Sequence, residues 1–373
     1  MARSTVGVIF SNIHDENIPE ISSHRTMASV PFGGRYRLID FALSNMVNSG
    51  ITTVGIVTKN NYQSLIDHLG SGKDWDLARK DGGIILLPPY SNETDKPYST
   101  RLEALMGITS FLRHRNEDYV VISDCDGIAH MNIGDIVNYH EEKGADITMV
   151  YHEEKEPSES SYFITLQPDQ EGRITGLKIN PSDLKKGKKY NLYINIMIMS
   201  REFLINTIQS AVQRGFSSFG RDILAKKVNT LKIYGYEFKG YYAAVDSLQD
   251  YYKHSMELLN KPVREELFGA RDIYTKVRDS APSKYLTGAV VKDSLISDGC
   301  VIEGTVENCI LFRGVKIGKG TQVKNCVLMQ DTVIGENVKL ESVITDKNVV
   351  IRDRRTLAGC AELPYFVSKG RML

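Results

Sequence analysis

Side chains able to do chemistry are thinly spread along this chain. Cys125, Cys300, Cys309, Cys326 and Cys360 show no metal-ligand spacing. An odd number of thiols in a chain this long argues against a disulfide framework and for a reducing compartment. His68, His140 and His254 fall in helical patterns, where surface or half-buried imidazoles are expected rather than ligands. The informative stretch is VPFGGRYRLIDFALSNMVNSGI, Val30 to Ile51. Its Pro31–Gly34 turn carries two glycines, which open the backbone to positive φ or to close approach. Upstream, VGVIF (Val6 to Phe10) reads as a strand buried on both faces. The loop that follows leaves the carboxyl end of a first strand, where open α/β sheets bind ligands.

The elements that must position such a loop alternate. Strand-like runs at Thr53–Thr58, Gly83–Leu87, Tyr119–Ser123, Ile147–Tyr151, Asn191–Ser200 and Thr230–Glu237 are separated by helical patterns at Tyr62–Leu69, Arg101–Arg113, Ile133–Lys143 and Arg201–Arg214. This predicts an α/β domain with a mostly parallel, doubly wound sheet. A long helical stretch, Asp246–Leu267, is broken at Pro262, and a connector follows. The expected division is 1–267, a connector at 268–285, and a second domain at 286–373. At 373 residues both parts are long enough to bury a core.

Beyond the connector the period changes. Val301, Val306, Leu311, Ile317, Val323, Leu328, Val333, Val338, Val343 and Val349 recur every five or six residues, with Gly or Asn between them. A helix cannot keep those aliphatics on one face, whereas a three-faced coil can, so the prediction is a parallel β-helix of hexapeptide repeats. Lys+Arg 46 against Asp+Glu 46 leaves a formal charge of zero, with no global electrostatic case for nucleic acid or membrane. The N-terminus lacks a basic flank followed by an apolar run, so a cytoplasmic soluble protein is expected.

Over almost its whole length the chain resembles the glucose-1-phosphate adenylyltransferase (ADP-glucose pyrophosphorylase) family. The resemblance is carried by VPFGGRYRLIDFALSNMVNSGI, DWDLARKDGGIILLPP, DYVVISDCDGIAHMN and SDGCVIEGTVENCILF. It implies a GT-A-like nucleotidyltransferase domain followed by a left-handed β-helix. It also implies the conversion of ATP and glucose 1-phosphate to ADP-glucose and pyrophosphate with Mg²⁺, in a tetramer that supplies glycogen or starch synthesis.

The resemblance breaks at the places where that chemistry would sit. The family's glycine-rich phosphate loop corresponds to Asn12–Ile18, and no glycine occurs from Val8 to Phe32. His14 and Asn12 remain as polar groups, Asp15 and Glu16 bring like charge, and Asn17 stands at the arginine position. The family's Arg-Ala-Lys reads Arg25-Thr26-Met27, so Met27 replaces a phosphate-contacting lysine. The base-pocket stretch reads Thr100-Arg101-Leu102-Glu103-Ala104, where Arg101 either fills the base's space or starts a helix in solvent. Of the two metal-binding aspartates, Asp126 is retained as a lone ligand with Asp124 as its neighbour, and the second is Ala244. Asp246, two residues on, is displaced by roughly 6–7 Å. Asn180 stands at the sugar-phosphate lysine. Tyr241, Tyr242, Tyr251 and Tyr252 are expected to pack together against the cleft wall.

Losing one preorganised charge-stabilising donor costs about 10²–10³ in rate. Even two independent losses leave on the order of 10⁻⁴ of normal turnover. The expectation is a chain inactive or very weak alone, with no catalytic residue intact and no cofactor of its own. The vestigial cleft is Asn12, His14, Arg25, Arg101 and Glu103. The resemblance is closest to the family's second-subunit type, which implies a heterotetramer with an active subunit holding Mg²⁺ and ATP. Assembly is expected through the coil and the adjoining face of the first domain, and a sugar phosphate or nucleotide is the expected effector. The alternatives are an active sugar-1-phosphate nucleotidyltransferase with an unusual loop and a hexapeptide acyltransferase. The latter lacks its histidine base, because residues 281–373 contain no histidine.

Overall fold

The computed structural model describes residues 4–89, 98–154, 163–182, 185 and 187–373. They form two compact units that are not consecutive in sequence. The first holds the chain up to His14, Thr26–Ala28 and Phe41–Ala244; the second holds Asp15–Arg25, Ser29–Asp40 and Val245–Leu373. Cuts at 267 and 285 therefore do not separate the units, since two N-terminal segments belong with the C-terminal part of the chain.

The first unit is built on a nine-stranded sheet. Its strands are β1 (Thr5–Phe10), β2 (Thr53–Val57), β3 (Gly83–Leu87), β4 (Tyr119–Asp124), β6 (Ile147–Glu154), β7 (Ile164–Pro168), β8 (Ile174–Ile179), β9 (Tyr190–Ser200) and β10 (Ile233–Glu237). A separate short pair joins β5 (Gly127–Ala129) to β11 (Tyr242–Ala244). The order is β8-β7-β9-β4-β1-β2-β3, with β6 pairing both β9 and β10. Pairing is parallel from β4 through β1 and β2 to β3, and again between β6 and β10. The long strand β9 runs antiparallel to β4, β6 and β7.

The central strands are apolar on both faces because both are covered. Val6, Val8 and Phe10 share a core with Leu102, Leu105, Leu204 and Ile208 from the helices α3 (Arg101–Gly107) and α6 (Arg201–Gln213). At Gly7 the packing is close: a Cβ there would lie 2.4 Å from Met46 Sδ on the helix α1 (Leu38–Asn48), and that side chain would have to shift. The predicted helix over 101–113 divides at Ile108 into α3 and α4 (Thr109–Arg113). The hairpin β7–β8 and the π-helical turn Phe219–Ala225 lack a clear period and were not anticipated. His68, His140 and His254 are buried, not half-exposed. His140 Nδ1 lies 2.8 Å from Thr148 Oγ1, and His254 Nδ1 lies 2.8 Å from Glu257.

In the second unit, helices Leu248–Glu257 and Lys261–Phe268 precede the coil, with Pro262 in the first turn of the latter. The coil is three five-stranded parallel sheets, one strand from each per turn. Val306, Leu311, Ile317, Val323, Leu328, Val338, Val343 and Val349 point inward, as predicted. Val301 and Val333 do not; their neighbours Ile302 and Ile334 fill the core instead, because successive side chains of these two strands point to opposite faces. Cys300, Cys309 and Cys326 are buried filling residues of the coil. Asn308, Asn325, Asn337 and Asn348 make the corners at φ of 52° to 58°. Asn308 Nδ2 donates to Asn325 Oδ1 at 2.6 Å, one turn on.

Candidate functional site

The end of β4 carries the carboxylates. Asp124 is the last residue of that strand, and Asp126 follows just before β5; both are buried. Four other side chains of the first unit converge on them. His14, from the loop after β1, places Nε2 2.8 Å from Asp124 Oδ2 and 3.6 Å from Asp126 Oδ2. Arg101, the first residue of α3, turns inward and donates from Nη2 to the same Asp124 oxygen. Its guanidinium carbon lies 5.6 Å from the centre of the Phe10 ring. Tyr193 and Asn195 of β9 complete the wall, with Asn195 Oδ1 3.5 Å from Arg101 Nη2. The adjoining cavity measures about 230 Å³.

Local structure explains these placements. A capping box starts α3: Glu103 N–H donates to Thr100 Oγ1, while Glu103 Oε2 accepts from the Ser99 and Thr100 amides. That pins the backbone of Arg101 beside β1. On β9, pairing with β6 shifts register between Tyr193 and Met197, and Asn195 sits at φ 60°. The bulge turns both side chains toward the carboxylates.

Charge is balanced within the cluster. Burial disfavours the charged imidazole, but Asp126 and the hydrogen bond to Asp124 outweigh it and raise His14 to about 9. His14 is then cationic at neutral pH, and two cations face two carboxylates. Burial also raises the Tyr193 phenol, so it stays neutral. Asp124 Oδ1 is buried with no hydrogen-bond partner.

The positions singled out in the sequence fall in three groups. Asn12, His14, Arg101 and Asp126 lie together at or beside the cluster. Arg101 is not a solvated helix-start residue, since its guanidinium turns inward onto buried Asp124 beside His14. Asp126 is not a lone carboxylate, because His14 and Asp124 stand beside it within reach of a common ion. Asn12 Oδ1 accepts from Tyr98 at 3.0 Å. Ala244 of β11 is opposite Gly127, so a methyl group stands one residue from Asp126. Tyr242 of the same strand covers Gly127.

Other positions are engaged elsewhere. Arg25 belongs to the second unit, where Nη2 grips both oxygens of Asp346 at 2.8 and 2.9 Å. Asn17 Nδ2 donates to Asp246 Oδ1 at 3.2 Å, also in the second unit. Glu103 is spent on the helix cap. Met27 is buried, and exposed Asn180 accepts from the Phe163 amide at the β7–β8 hairpin. The four tyrosines form no single cluster, since Tyr251 and Tyr252 donate within the second unit to Pro31 O and Asn325 O. Tyr193 was missed by sequence reasoning. Its only local signal was Asn195, a residue that tolerates the left-handed region.

A largely parallel sheet with carboxylates at the end of a central strand, followed by a hexapeptide coil, is an architecture of the nucleotidyltransferase class. Comparison with known families agrees: residues 18–261 match the nucleotidyl transferase family, and residues 281–360 match the GlmU-like C-terminal hexapeptide. The chain is 38% identical over 368 residues to the glycogen biosynthesis protein GlgD of Bacillus subtilis (strain 168), covering 98% of this chain and 96% of that protein. The GlgD of Geobacillus stearothermophilus is also 38% identical, over 99% of this chain and 97% of its own length. The glucose-1-phosphate adenylyltransferase of Thermosipho africanus (strain TCF52B) is 35% identical over 86% of this chain and 78% of its own. The chain belongs to the glucose-1-phosphate adenylyltransferase family of glycogen synthesis, and its fold is that family's nucleotidyltransferase domain followed by a left-handed hexapeptide β-helix. Among the described residues, no helix is long and apolar enough to cross a membrane.

Proposed function

We propose that this chain is a non-catalytic, regulatory subunit that assembles with an active glucose-1-phosphate adenylyltransferase in the cytoplasm and changes that enzyme's response. The observation that carries this reading is the filled cleft: Arg101 and His14 both bind the Asp124 oxygen, beside Asp126. Mg²⁺ in this family neutralises reacting phosphates through two aspartates. The residues present do not fit it. One of the two positions is Ala244, and Asp124 is already neutralised by the protein's own cations. No catalytic step is therefore derived through a metal in this chain.

Assembly through the coil is supported by its first turn. Tyr285, Leu286 and Val290 are exposed there, and strands Lys284–Tyr285, Val290–Lys292 and Leu295–Ile296 each have a partner strand on one side only among the described residues. Exposed apolar side chains beside open strand edges are the chemistry of a subunit contact. The partner's active sites are then biased by differential affinity for two assembly states.

The test is steady-state synthesis of ADP-glucose by the active subunit with and without this chain. The expected result is co-purification, a shifted effector response or rate, and no turnover by this chain alone. Turnover of ATP and glucose 1-phosphate by the isolated chain at the active subunit's rate would overturn the reading. So would a partner rate and effector response unaffected by its addition.

A further inference from the structure

Arg101 is an unusual residue to turn inward at the first position of a helix. Its backbone is held by the capping box of Thr100 and Glu103, and its side chain is only 16% exposed. The guanidinium spans from the Phe10 ring to the Asp124 carboxylate, with Asn195 at its edge. His14 reaches the same Asp124 oxygen from the opposite chain segment. Together with Asp126, these ligand atoms of His14 and Asp124 lie within 4.8 Å of one another, a spacing a divalent ion could bridge.

We propose that Arg101 is a resident cation that takes the place of a divalent metal on the Asp124–Asp126 pair and keeps such an ion out. The inference rests on the non-catalytic reading above and supplies its physical cause. Like charges repel strongly at contact distance in a partly dry site, so an ion bridging Asp124 and Asp126 would face a guanidinium that it could displace only by breaking the Arg101–Asp124 pair and the contact with Phe10. Asp124 Oδ1, buried and unpartnered, is the lone pair a metal would use once that charge was gone.

The experiment is a Mn²⁺ titration of the full chain followed by electron paramagnetic resonance of the free ion, with Mg²⁺ competition. The native chain is expected to show no saturable site below millimolar Mn²⁺. Arg101→Gln, which keeps an amide donor on a shorter side chain and removes the charge, is expected to tighten Mn²⁺ binding by about tenfold or more. Arg101→Lys, which retains the charge, is expected to behave like the native chain. Adding Asp126→Asn to Arg101→Gln should abolish the gained site. Circular dichroism confirms folding, and Arg101→Met serves as the neutral variant if the glutamine form is unfolded.

Micromolar Mn²⁺ binding by the native chain that Asp126→Asn removes would overturn the inference. A folded neutral variant with no gain would do the same. These outcomes are separable from those for the regulatory role: a non-catalytic subunit whose native cleft binds Mn²⁺ sinks only the resident cation, whereas solo turnover sinks the subunit reading.

Discussion

Replacing Arg25 by methionine tests whether this arginine serves the structure rather than a phosphate. Arg25 and Asp346 are each 2% exposed in their side chains, and one nitrogen bonds both carboxylate oxygens. Arg25→Met keeps most of the volume and strands the carboxylate. Removing one partner of a buried pair costs about 3–5 kcal/mol. Asp346 Oδ1 also accepts the Lys347 amide at 2.6 Å, which survives the substitution, so the low end, about 3 kcal/mol, is expected. Asp346→Leu alone strands the guanidinium, whose Nη1 already lacks a partner, and is expected to cost about as much. The double variant buries no unpaired charge and should recover to within about 1 kcal/mol of the native chain. That implies a coupling energy larger than either remaining loss. Urea unfolding followed by circular dichroism, with amide exchange across residues 344–349, measures each corner of the cycle. Single losses below about 1 kcal/mol, or a double loss equal to the sum of the singles, would refute the assignment.

Two further outcomes follow from the second unit. Burial and the neighbouring cations Arg37, Arg25 and Arg278 push Lys347 down to about 7, against the opposing pull of Asp346. The unfolded chain, at 10.5, binds more protons than the folded one between those values, so stability rises with pH across that window and the penalty is full below about pH 7. After discounting for partial exposure, Lys347→Met is expected to stabilise by about 1–2 kcal/mol at neutral pH and to flatten the slope up to pH 10 in urea titrations. Gly318→Ala places a Cβ 2.5 Å from the Gly335 carbonyl oxygen of the next turn, a backbone atom that cannot swing away. It should cost about 1–3 kcal/mol by urea unfolding, and no loss would mean that the coil turns are not stacked as described.

The order of strands and helices and the change to a coil after the connector were legible in the sequence. Both are periodicities, and burial of a regular backbone enforces periodicity locally. That no glycine occurs from Val8 to Phe32, and that positions 27 and 244 carry Met and Ala, was equally plain, because a missing functional group needs no coordinates to see. What the remaining polar residues do instead was not legible. Arg25 and Arg101 are both arginines beside presumed ligand loops, yet one neutralises Asp346 and the other Asp124. Asp346 is 321 residues from Arg25, and Asp124 lies on a different element 23 residues from Arg101. Tyr193 reaches the cluster only through a bulge, and the histidines are buried by neighbours such as Trp75 on His68 and Tyr119 on His140, which no helical period reveals. A side chain's partner across the fold depends on which strands meet, and that is settled by the tertiary contacts that bury the charge.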